Sequence, residues 1–477
     1  MRMHVGLRGL VLLALLCGTL ARAAEPAAPA APCTERVADG ASAPPPRLPD
    51  LSYTCLALRS GQRVLVGEAG ARTAQPVLLV HGLGNNAHRD WASAIPVLAR
   101  QFHVVVLDLP GFGASEAGPQ GYSFEGLSAV LAEVLERSAP QQRAHVVGHS
   151  LGGAVSLYFA YAQPAKVDRL VLVDAAGILL KSVFAEHIAS MRTKPVGIDP
   201  VDRFLKGLDE RINSFRRDVF TGLDDRFDLS RWLAQNPSVR NALLGRYTQI
   251  EAGLGLVEHD FTPAIREMRA PTTVIWGRDD PIAPLRTGKL LAARLPDARL
   301  QVIDGAGHTP MQDSPRTFTR LLLDALTAPL PAKYAVDVTL VSQGNVVCRD
   351  SAGRRYSGSF DTLTLENCPD ARIEAARMKQ LVLKDSSATL EDSVIEGGEV
   401  ALSAQGSQIT ATNVRLDARV AIRSDNSRLD LAGVSLNASE RGVELLSPSR
   451  LYFSVSELRA PDYSGDAHFI WPPADKR

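Results

Sequence analysis

The chain carries no excess of charge of either sign. Its 477 residues include 52 Lys and Arg against 52 Asp and Glu, so the formal net charge at pH 7 is zero. A protein that binds nucleic acid or anionic lipid concentrates basic side chains on its surface, and this balance gives no such field. The sequence therefore predicts neither nucleic acid nor an anionic membrane surface as a partner.

The sequence signals of metal and nucleotide sites are also missing. No cysteines and histidines have the spacing of metal ligands, and no glycine-rich loop has the pattern that cradles phosphate groups. No cofactor is therefore implied by the sequence.

Long hydrophobic runs are scarce as well. The apolar run from Leu10 to Leu16 is too short to span a bilayer. Two arginines precede it and a small-residue site follows at 21–23, an arrangement typical of a secretory signal. We expect a signal peptide over 1–24, a Pro- and Ala-rich lead-in over 25–50, and a periplasmic or secreted protein without a transmembrane span.

Cysteine is rare, with five residues in the whole chain. Cys17 lies in the predicted signal segment, and lipidation there is disfavoured because a bulky leucine precedes it. The other four form an even set, which in an exported protein favours disulfides over free buried thiols. Proximity in sequence predicts the pairs Cys33–Cys55 and Cys348–Cys368.

One short segment carries the clearest chemical signal. Residues 148–152 read Gly-His-Ser-Leu-Gly, after an apolar run at 144–147 and before a helical pattern at 154–160. A Gly-x-Ser-x-Gly pattern between a strand and a helix is typical of a nucleophile elbow, a strained turn that exposes the central hydroxyl. The sequence therefore predicts Ser150 as a nucleophile.

A serine hydroxyl becomes reactive when an imidazole accepts its proton and a carboxylate orients that imidazole. His308 follows a predicted strand at 299–303 in a glycine-flanked loop, and we expect it to be the general base. Another predicted strand, at 271–277, leads into Asp279 and Asp280, either of which has the position to orient His308. Asp280 is favoured of the two.

The loop after the predicted strand at 76–80 reads His-Gly-Leu-Gly. An oxyanion hole needs two backbone N–H groups aimed at the atom where negative charge develops. The predicted pair is Leu83, in this loop, and Leu151, directly after the nucleophile. His81 is expected to fix the loop, and Asp108, in the next such loop, is expected to bind backbone groups.

Together, these segments resemble the α/β-hydrolase superfamily over roughly residues 56–327. The resemblance rests on the segments His81-Gly82, Asp108-x-Pro-Gly-x-Gly-x-Ser, Gly148 to Gly153, Gly277-x-x-Asp280 and Gly307-His308. The spacing from Asp280 to His308 is similar to that of esterase and carbon–carbon hydrolase members, which supports Asp280. A serine at position 150 argues against haloalkane dehalogenases and epoxide hydrolases, which carry an aspartate nucleophile.

The resemblance implies an α/β domain, expected at 51–328, with a helical cap that covers the nucleophile and shapes the substrate pocket. The insertion between the predicted strands that end at Asp174 and begin at Thr272 is amphipathic and suits such a cap, at about 178–262. Helices are predicted there at 178–191, 200–208, 227–233 and 239–254.

After a proline-marked linker at 329–335, short strands and turns repeat with a period near twenty residues. This predicts a right-handed parallel β-helix of four to six rungs over 336–477, with a β-sandwich as the alternative. Cys348 and Cys368 are one such period apart, and stacked positions about 4.8 Å apart suit a disulfide. The repeat is assigned to units that begin at 381, 400, 420 and 443, to Ser387, Ser407, Ser427 and Ser449, and to Val394, Val414 and Val434.

The leading functional prediction is an exported serine hydrolase that cleaves a carboxylic ester of a small molecule or an acylated glycan. One alternative is a carbon–carbon bond hydrolase of the same fold, disfavoured by the predicted export because such catabolic substrates are usually cytoplasmic. Another is a polysaccharide-binding protein with a vestigial hydrolase domain. The β-helix is expected to offer a surface for polysaccharide or protein contact, and the aromatic residues near its end, Tyr452, Phe453, Tyr463, Phe469 and Trp471, are expected to cap its core.

Overall fold

A computed structural model describes much of the chain. The predicted signal segment, most of the predicted lead-in and nearly all of the predicted cap helices and linker lie outside the described residues. Within the described part, no helix has both the length and the apolarity needed to cross a membrane. The described residues are 33, 35–36, 42–43, 47–84, 86–118, 122–140, 142–179, 251–253, 255–256, 259–329, 341–464 and 468–470.

An eight-stranded sheet forms the first half of the described fold. It follows a separate pair of short strands, β1 Glu35–Arg36 and β2 Ser42–Ala43, which pair with each other. The eight strands are β3 Ser52–Ala57, β4 Arg63–Ala69, β5 Pro76–Val80, β6 His103–Leu107, β7 Ala144–His149, β8 Val167–Val173, β9 Thr272–Gly277 and β10 Ala298–Ile303. Their order in the sheet is β10-β9-β8-β7-β5-β6-β4-β3, and all neighbours are parallel except the pairs that involve β4.

Helices cover both faces of this sheet, as its apolar strands require. The helices are α1 Ile95–Leu98, α2 Phe124–Ser138, α3 Leu151–Ala162, α4 Thr262–Glu267, α5 Leu285–Arg294, α6 Pro310–Asp313 and α7 Pro315–Thr327, with a 3₁₀ turn at Ala87–Trp91. In β5, Leu78 and Val80 join one apolar cluster with residues of α2, α3 and α5, while Val77 and Leu79 join another with residues of α1 and α7. This three-layer α/β arrangement is the predicted fold.

The C-terminal half is a curled, all-parallel sheet in which successive coils stack on one another, as predicted for a β-helix. Leu381 pairs with Leu402, which pairs with Ile422, which pairs with Val443, and all four side chains are buried. The strands are β11 Asn345–Arg349, β12 Arg355–Glu366, β13 Ala371–Lys384, β14 Ser387–Glu391, β15 Val394–Gln405, β16 Gln408–Thr412, β17 Arg415–Asp425, β18 Arg428–Ala432, β19 Ser435–Leu445, β20 Arg450–Ser454, β21 Glu457–Arg459, β22 Asp462–Ser464 and β23 His468–Ile470.

A ladder of buried serines fixes one turn of each coil. Ser386 Oγ accepts the N–H of Cys368 at 2.9 Å, and Ser407 Oγ accepts the N–H of Ser386 at 3.1 Å. Ser427 and Ser449 repeat the contact in the next two coils. Each hydroxyl also donates to the carbonyl two residues earlier, so its donor and its acceptor both have a protein partner.

The register of the repeat differs in detail from the sequence assignment. Ser387 pairs with Gln408, so Ser386 rather than Ser387 is the equivalent of Ser407. Val394 pairs with Arg415 and is therefore not equivalent to Val414. Leu381 likewise pairs with Leu402 rather than Val400, and Val420 pairs with Arg441 rather than Val443. Coil length differs from one coil to the next, so a period near twenty residues does not fix the register by itself.

Both disulfides of the structure join the pairs favoured by the sequence, with Cα–Cα distances of 5.4 Å for Cys33–Cys55 and 6.5 Å for Cys348–Cys368. The spacing of the second pair predicted stacked strand positions, but the two cysteines do not occupy them. Cys348 pairs with Leu365 in the neighbouring strand, and Cys368 lies in the turn beyond it. The first coil is shorter than twenty residues, and this shifts the register.

The aromatic residues near the C-terminus are divided between two environments. Phe453 is buried in the β-helix core, whereas Tyr452 belongs to the apolar cluster that lies against the eight-stranded sheet. Tyr452 therefore does not cap the β-helix core as expected. Tyr463 is partly exposed, the side chain of Phe469 is not described, and Trp471 lies outside the described residues.

Candidate active site

Ser150 occupies the sharp turn between β7 and α3. Its backbone has φ +51° and ψ −118°, a strained combination for a residue with a side chain. A Cβ at Gly148 would lie 2.2 Å from the Gly152 carbonyl oxygen, and one at Gly152 would lie 2.3 Å from the Val80 carbonyl oxygen. Only glycine fits at either position, so the two glycines of the motif are what permit this turn.

Three side chains from separate loops form one hydrogen-bonded chain. His308 Nε2 lies 2.9 Å from Ser150 Oγ, and His308 Nδ1 lies 2.8 Å from Asp280 Oδ2. All three residues are buried. Since a carboxylate only accepts, Nδ1 carries the imidazole proton and Nε2 accepts from the serine hydroxyl. The arrangement can therefore take a proton from Ser150 and stabilise the imidazolium that results.

Asp280 rather than Asp279 makes this contact. Asp280 Oδ1 accepts the backbone N–H groups of Ile282 at 2.7 Å and Ala283 at 3.0 Å, which fixes the carboxylate in its loop. Burial disfavours the charged form, but the His308 imidazole and these two N–H groups outweigh it and hold the pKa of Asp280 below its ordinary value. The Asp279 side chain is exposed.

A second carboxyl, Asp174, lies close to Asp280. It follows β8, is fully buried, and accepts the N–H of Gly277 at 2.9 Å. Burial, and then the charge of Asp280, raises the pKa of Asp174 well above its ordinary value. Sequence analysis did not single out Asp174, although a polar residue directly after an apolar strand is a signal for this position.

The loop after β5 lies against the nucleophile, since a Cβ at Gly82 would be 3.1 Å from Ser150 Cβ. His81 fixes this loop, as expected. Its Nε2 accepts the N–H of Leu109 at 2.9 Å, which leaves Nδ1–H to donate to the Gly82 carbonyl at 2.6 Å. Burial lowers the pKa of His81 and favours this neutral form.

Asp108 binds backbone groups, again as expected. Its carboxylate accepts the N–H of His88 and the N–H of Ala114, each at 3.0 Å. It also lies 2.7 Å from His88 Nδ1, which makes it a structural anchor for the adjoining loops.

The two predicted oxyanion donors lie in the chain segments that meet at Ser150. Leu151 is the first residue of α3, and the N–H groups at a helix start have no acceptor within the helix. Leu83 lies in the loop held by His81. The structure thus brings Ser150, Asp280 and His308 into one hydrogen-bonded chain, with Leu151 next to the serine in sequence and Leu83 next to Gly82, the residue that lies against Ser150.

His149 is a further residue that sequence analysis passed over. Its Nε2 donates to the His308 backbone carbonyl at 2.7 Å, which ties the loop that carries His308 to the end of β7, next to Ser150. Its position inside the Gly-x-Ser-x-Gly motif was visible in the sequence, but its partner was not. No group of three or more potential metal ligands occurs among the described residues.

Comparison with known proteins gives a family match over half of the chain. The model of the alpha/beta hydrolase fold family matches residues 75–315, which include all five of the predicted site residues just described. The β-helix half lies beyond the matched segment.

Three curated relatives illustrate the range of chemistry among similar proteins. A pimeloyl-[acyl-carrier protein] methyl ester esterase of Aeromonas hydrophila is 30% identical over 52% of this chain and 93% of its own length. A 2-hydroxy-6-oxononadienedioate/2-hydroxy-6-oxononatrienedioate hydrolase of Pseudomonas putida is 28% identical, over 53% and 88%. Lipase 3 of a Moraxella species is 26% identical, over 56% and 81%.

Proposed function

The chain belongs to the alpha/beta hydrolase fold family, and from this premise we propose that it is a serine hydrolase that cleaves carboxylic esters. The observation that carries the proposal is the hydrogen-bonded chain from Ser150 through His308 to Asp280, with the serine on a strained turn. That geometry supports Ser150 as nucleophile, His308 as general base and Asp280 as the orienting carboxylate.

In the proposed first step, Ser150 Oγ attacks the ester carbonyl carbon while His308 Nε2 accepts the hydroxyl proton. The carbonyl oxygen becomes an oxyanion, and the N–H groups of Leu83 and Leu151 are proposed to bind it. Loss of one such donor typically slows an enzyme about 100- to 1000-fold. His308 then donates its proton to the alkoxide oxygen as the carbon–oxygen bond breaks, so the alcohol leaves and an acyl-enzyme remains on Ser150.

The second half of the cycle reverses these roles. A water molecule loses a proton to His308 and attacks the acyl carbonyl, and the acid leaves as Ser150 regains its proton. Asp280 stays ionised throughout, because the N–H groups of its loop and the His308 ring favour its charged form.

The ester bond is favoured over the carbon–carbon bond by the proposed export. We propose that residues 1–24 direct the protein to the periplasm or the exterior, and the two disulfides support this because disulfides persist in oxidising compartments. The proposed substrate is a small-molecule ester or an ester on a glycan. We further propose that residues 51–328 act as the hydrolase domain and 336–477 as the β-helix domain.

Labelling with a fluorophosphonate, read by intact mass, tests the proposed nucleophile. Wild type is expected to gain one adduct, and Ser150→Ala none. His308→Ala and Asp280→Asn are expected to react about 10³- to 10⁴-fold more slowly, because the hydroxyl loses its base or the base loses its orientation. Asp279→Asn is the matched control for Asp280→Asn and should react like wild type.

A folded wild type that gains no adduct at Ser150 would contradict the proposal. Equal rates for Asp279→Asn and Asp280→Asn would contradict the assigned carboxylate. For the bond cleaved, wild type is offered a series of aryl esters of increasing acyl length and a ring-fission dienoate. Faster turnover of the dienoate than of every ester would replace the esterase proposal with the carbon–carbon hydrolase.

A further inference from the structure

Helix α5 connects the candidate active site to the β-helix. It begins at Leu285, five residues after Asp280, and its outward face carries Arg286, Lys289 and Arg294. Three basic residues on one helix face usually contact solvent. Here each of them contacts the β-helix instead.

Arg286 is the most enclosed of the three. Its guanidinium binds both carboxylate oxygens of Asp430 on β18, at 2.5 and 3.2 Å, and also contacts Thr412 Oγ1 at 3.1 Å and the Ala411 carbonyl at 3.2 Å. The side chains of Arg286 and Asp430 are only 13% and 7% exposed. A bidentate ion pair that is buried from water fixes both the position and the orientation of the guanidinium relative to the carboxylate.

The remaining contacts extend this attachment along the helix. Lys289 Nζ lies 2.5 Å from Glu391 Oε2 on β14, and the Lys289 carbonyl accepts from Asn413 Nδ2 at 3.1 Å. Arg294 donates to the Gly433 carbonyl and to Ser435 Oγ. The basic face of α5 therefore meets acidic and polar groups from three successive coils of the β-helix.

The inward side of α5 is fixed with equal firmness. A Cβ at Gly288 would lie 2.8 Å from the buried Trp276 ring, so the helix rests directly on that ring. Trp276 Nε1 donates to the Ala283 carbonyl at 2.8 Å. The N–H of the same Ala283 binds Asp280 Oδ1. The short connection from Asp280 to Arg286 is thus held by Trp276 at Ala283 and by the β-helix at Arg286.

We propose that the β-helix is a positioning element for the active site, and that the Asp430–Arg286 pair holds the Asp280 loop in the geometry that orients His308. Arg286 and Asp430 are positioning residues, since neither contacts His308 or Ser150. This inference rests on the proposed function, because it assigns the β-helix a part in activating Ser150. It also explains why Glu391 of β14 and Asp430 of β18 lie opposite the basic residues of α5.

A double-mutant cycle with Asp280 separates positioning from simple stabilisation of the fold. The variants are Asp430→Asn, Asp280→Asn and the pair, in the full chain, with Glu444→Gln as control. Glu444 forms an ion pair with Arg423 at 2.5 Å, near the opposite end of β19 from Ser435, the residue of that strand that Arg294 contacts. The readout is the rate of fluorophosphonate labelling at Ser150, measured well below each variant's unfolding temperature.

Asp430→Asn is expected to slow labelling about 5- to 10-fold in the wild-type background and by less than about twofold in the Asp280→Asn background. Glu444→Gln should leave the rate unchanged. If Asp430→Asn does not fold, Arg286→Lys serves in its place, since it keeps the charge and loses the two-pronged geometry.

The outcomes distinguish this inference from the function beneath it. If wild type is labelled at Ser150 but Asp430→Asn has no effect, or the same effect in both backgrounds, the positioning role is wrong and the esterase proposal stands. If wild type is not labelled, the proposed function fails first, and the positioning role fails with it.

Discussion

Two neighbouring buried carboxyl groups of the candidate site, Asp280 and Asp174, differ in the charge that their surroundings favour. Asp280 has three hydrogen-bond donors, from His308, Ile282 and Ala283, and its pKa lies below the ordinary value. Asp174 has the Gly277 N–H, and burial and the Asp280 charge raise its pKa. Neighbouring carboxyls that are pushed apart in this way allow one to stay ionised while the other stays protonated.

Asp174→Asn is expected to flatten the dependence of stability on pH. The raised folded pKa means that the carboxyl of Asp174 supports the fold below its unfolded pKa of about 4 and loses that contribution as the pH rises through its folded value. Asparagine keeps the acceptor for the Gly277 N–H and does not titrate. Urea unfolding from about pH 4 to about pH 8 should therefore show the variant gaining stability relative to wild type as the pH rises.

Asp279→Asn is the control for this measurement, because Asp279 is exposed. Its difference in unfolding free energy from wild type should stay constant over the same pH range. A constant difference for Asp174→Asn as well would show that Asp174 titrates alike in the folded and unfolded chain, and would contradict the assignment.

At the scale of elements, the elbow was predictable from sequence because its determinants are local. A strand, a turn with two required glycines and a helix follow one another within residues 144–162. The roles of His81 and Asp108 were predictable for the same reason, because each residue directly follows an apolar strand. The register of the β-helix is not determined by local sequence, because coil length changes from one coil to the next. Only the pairing of strands shows which serines occupy equivalent positions in successive coils.

The attachment of α5 was also beyond the sequence. Arg286, Lys289 and Arg294 have the spacing of an ordinary solvent-facing helix, and their partners in the β-helix lie 100 or more residues away in the chain. The pKa of Asp174 has a related origin, because it is raised by burial and then by the charge of Asp280, which follows a different strand. Contacts between distant segments carry little trace in the sequence of either one.

The serine ladder gives a prediction for a single β-helix element. Ser407 Oγ accepts from the Ser386 N–H at 3.1 Å and donates to the Gln405 carbonyl at 2.6 Å, within a buried turn. Ser407→Ala leaves that N–H without an acceptor and should lower the unfolding free energy by about 1–3 kcal/mol. Ser403→Ala, on the outward face of the same coil, should change it by less than about 0.5 kcal/mol. Equal losses in urea titrations of the two variants would contradict the role given to the ladder.

At the scale of the whole molecule, the hydrolase and β-helix halves share apolar packing as well as ion pairs. Ala432, Tyr452 and Val455 of the β-helix belong to the same buried cluster as Leu290 and Leu291 of α5. The interior of the β-helix forms a separate cluster. The shared cluster couples the folding of the two halves, because unfolding either one would expose apolar surface of the other.

The full chain is therefore expected to unfold in one calorimetric transition, with Tyr452 as a main contributor to the coupling. Tyr452→Ala removes a large buried side chain from the shared cluster at a cost of about 3 kcal/mol, and should split the transition or broaden it below two-state sharpness. Met378→Ala is the control, because Met378 is buried in the interior of the β-helix alone. It should lower the temperature of a transition that stays single. Two separate transitions in wild type, or a single sharp one in Tyr452→Ala, would show that the halves fold independently or are coupled through the ion pairs of α5 alone.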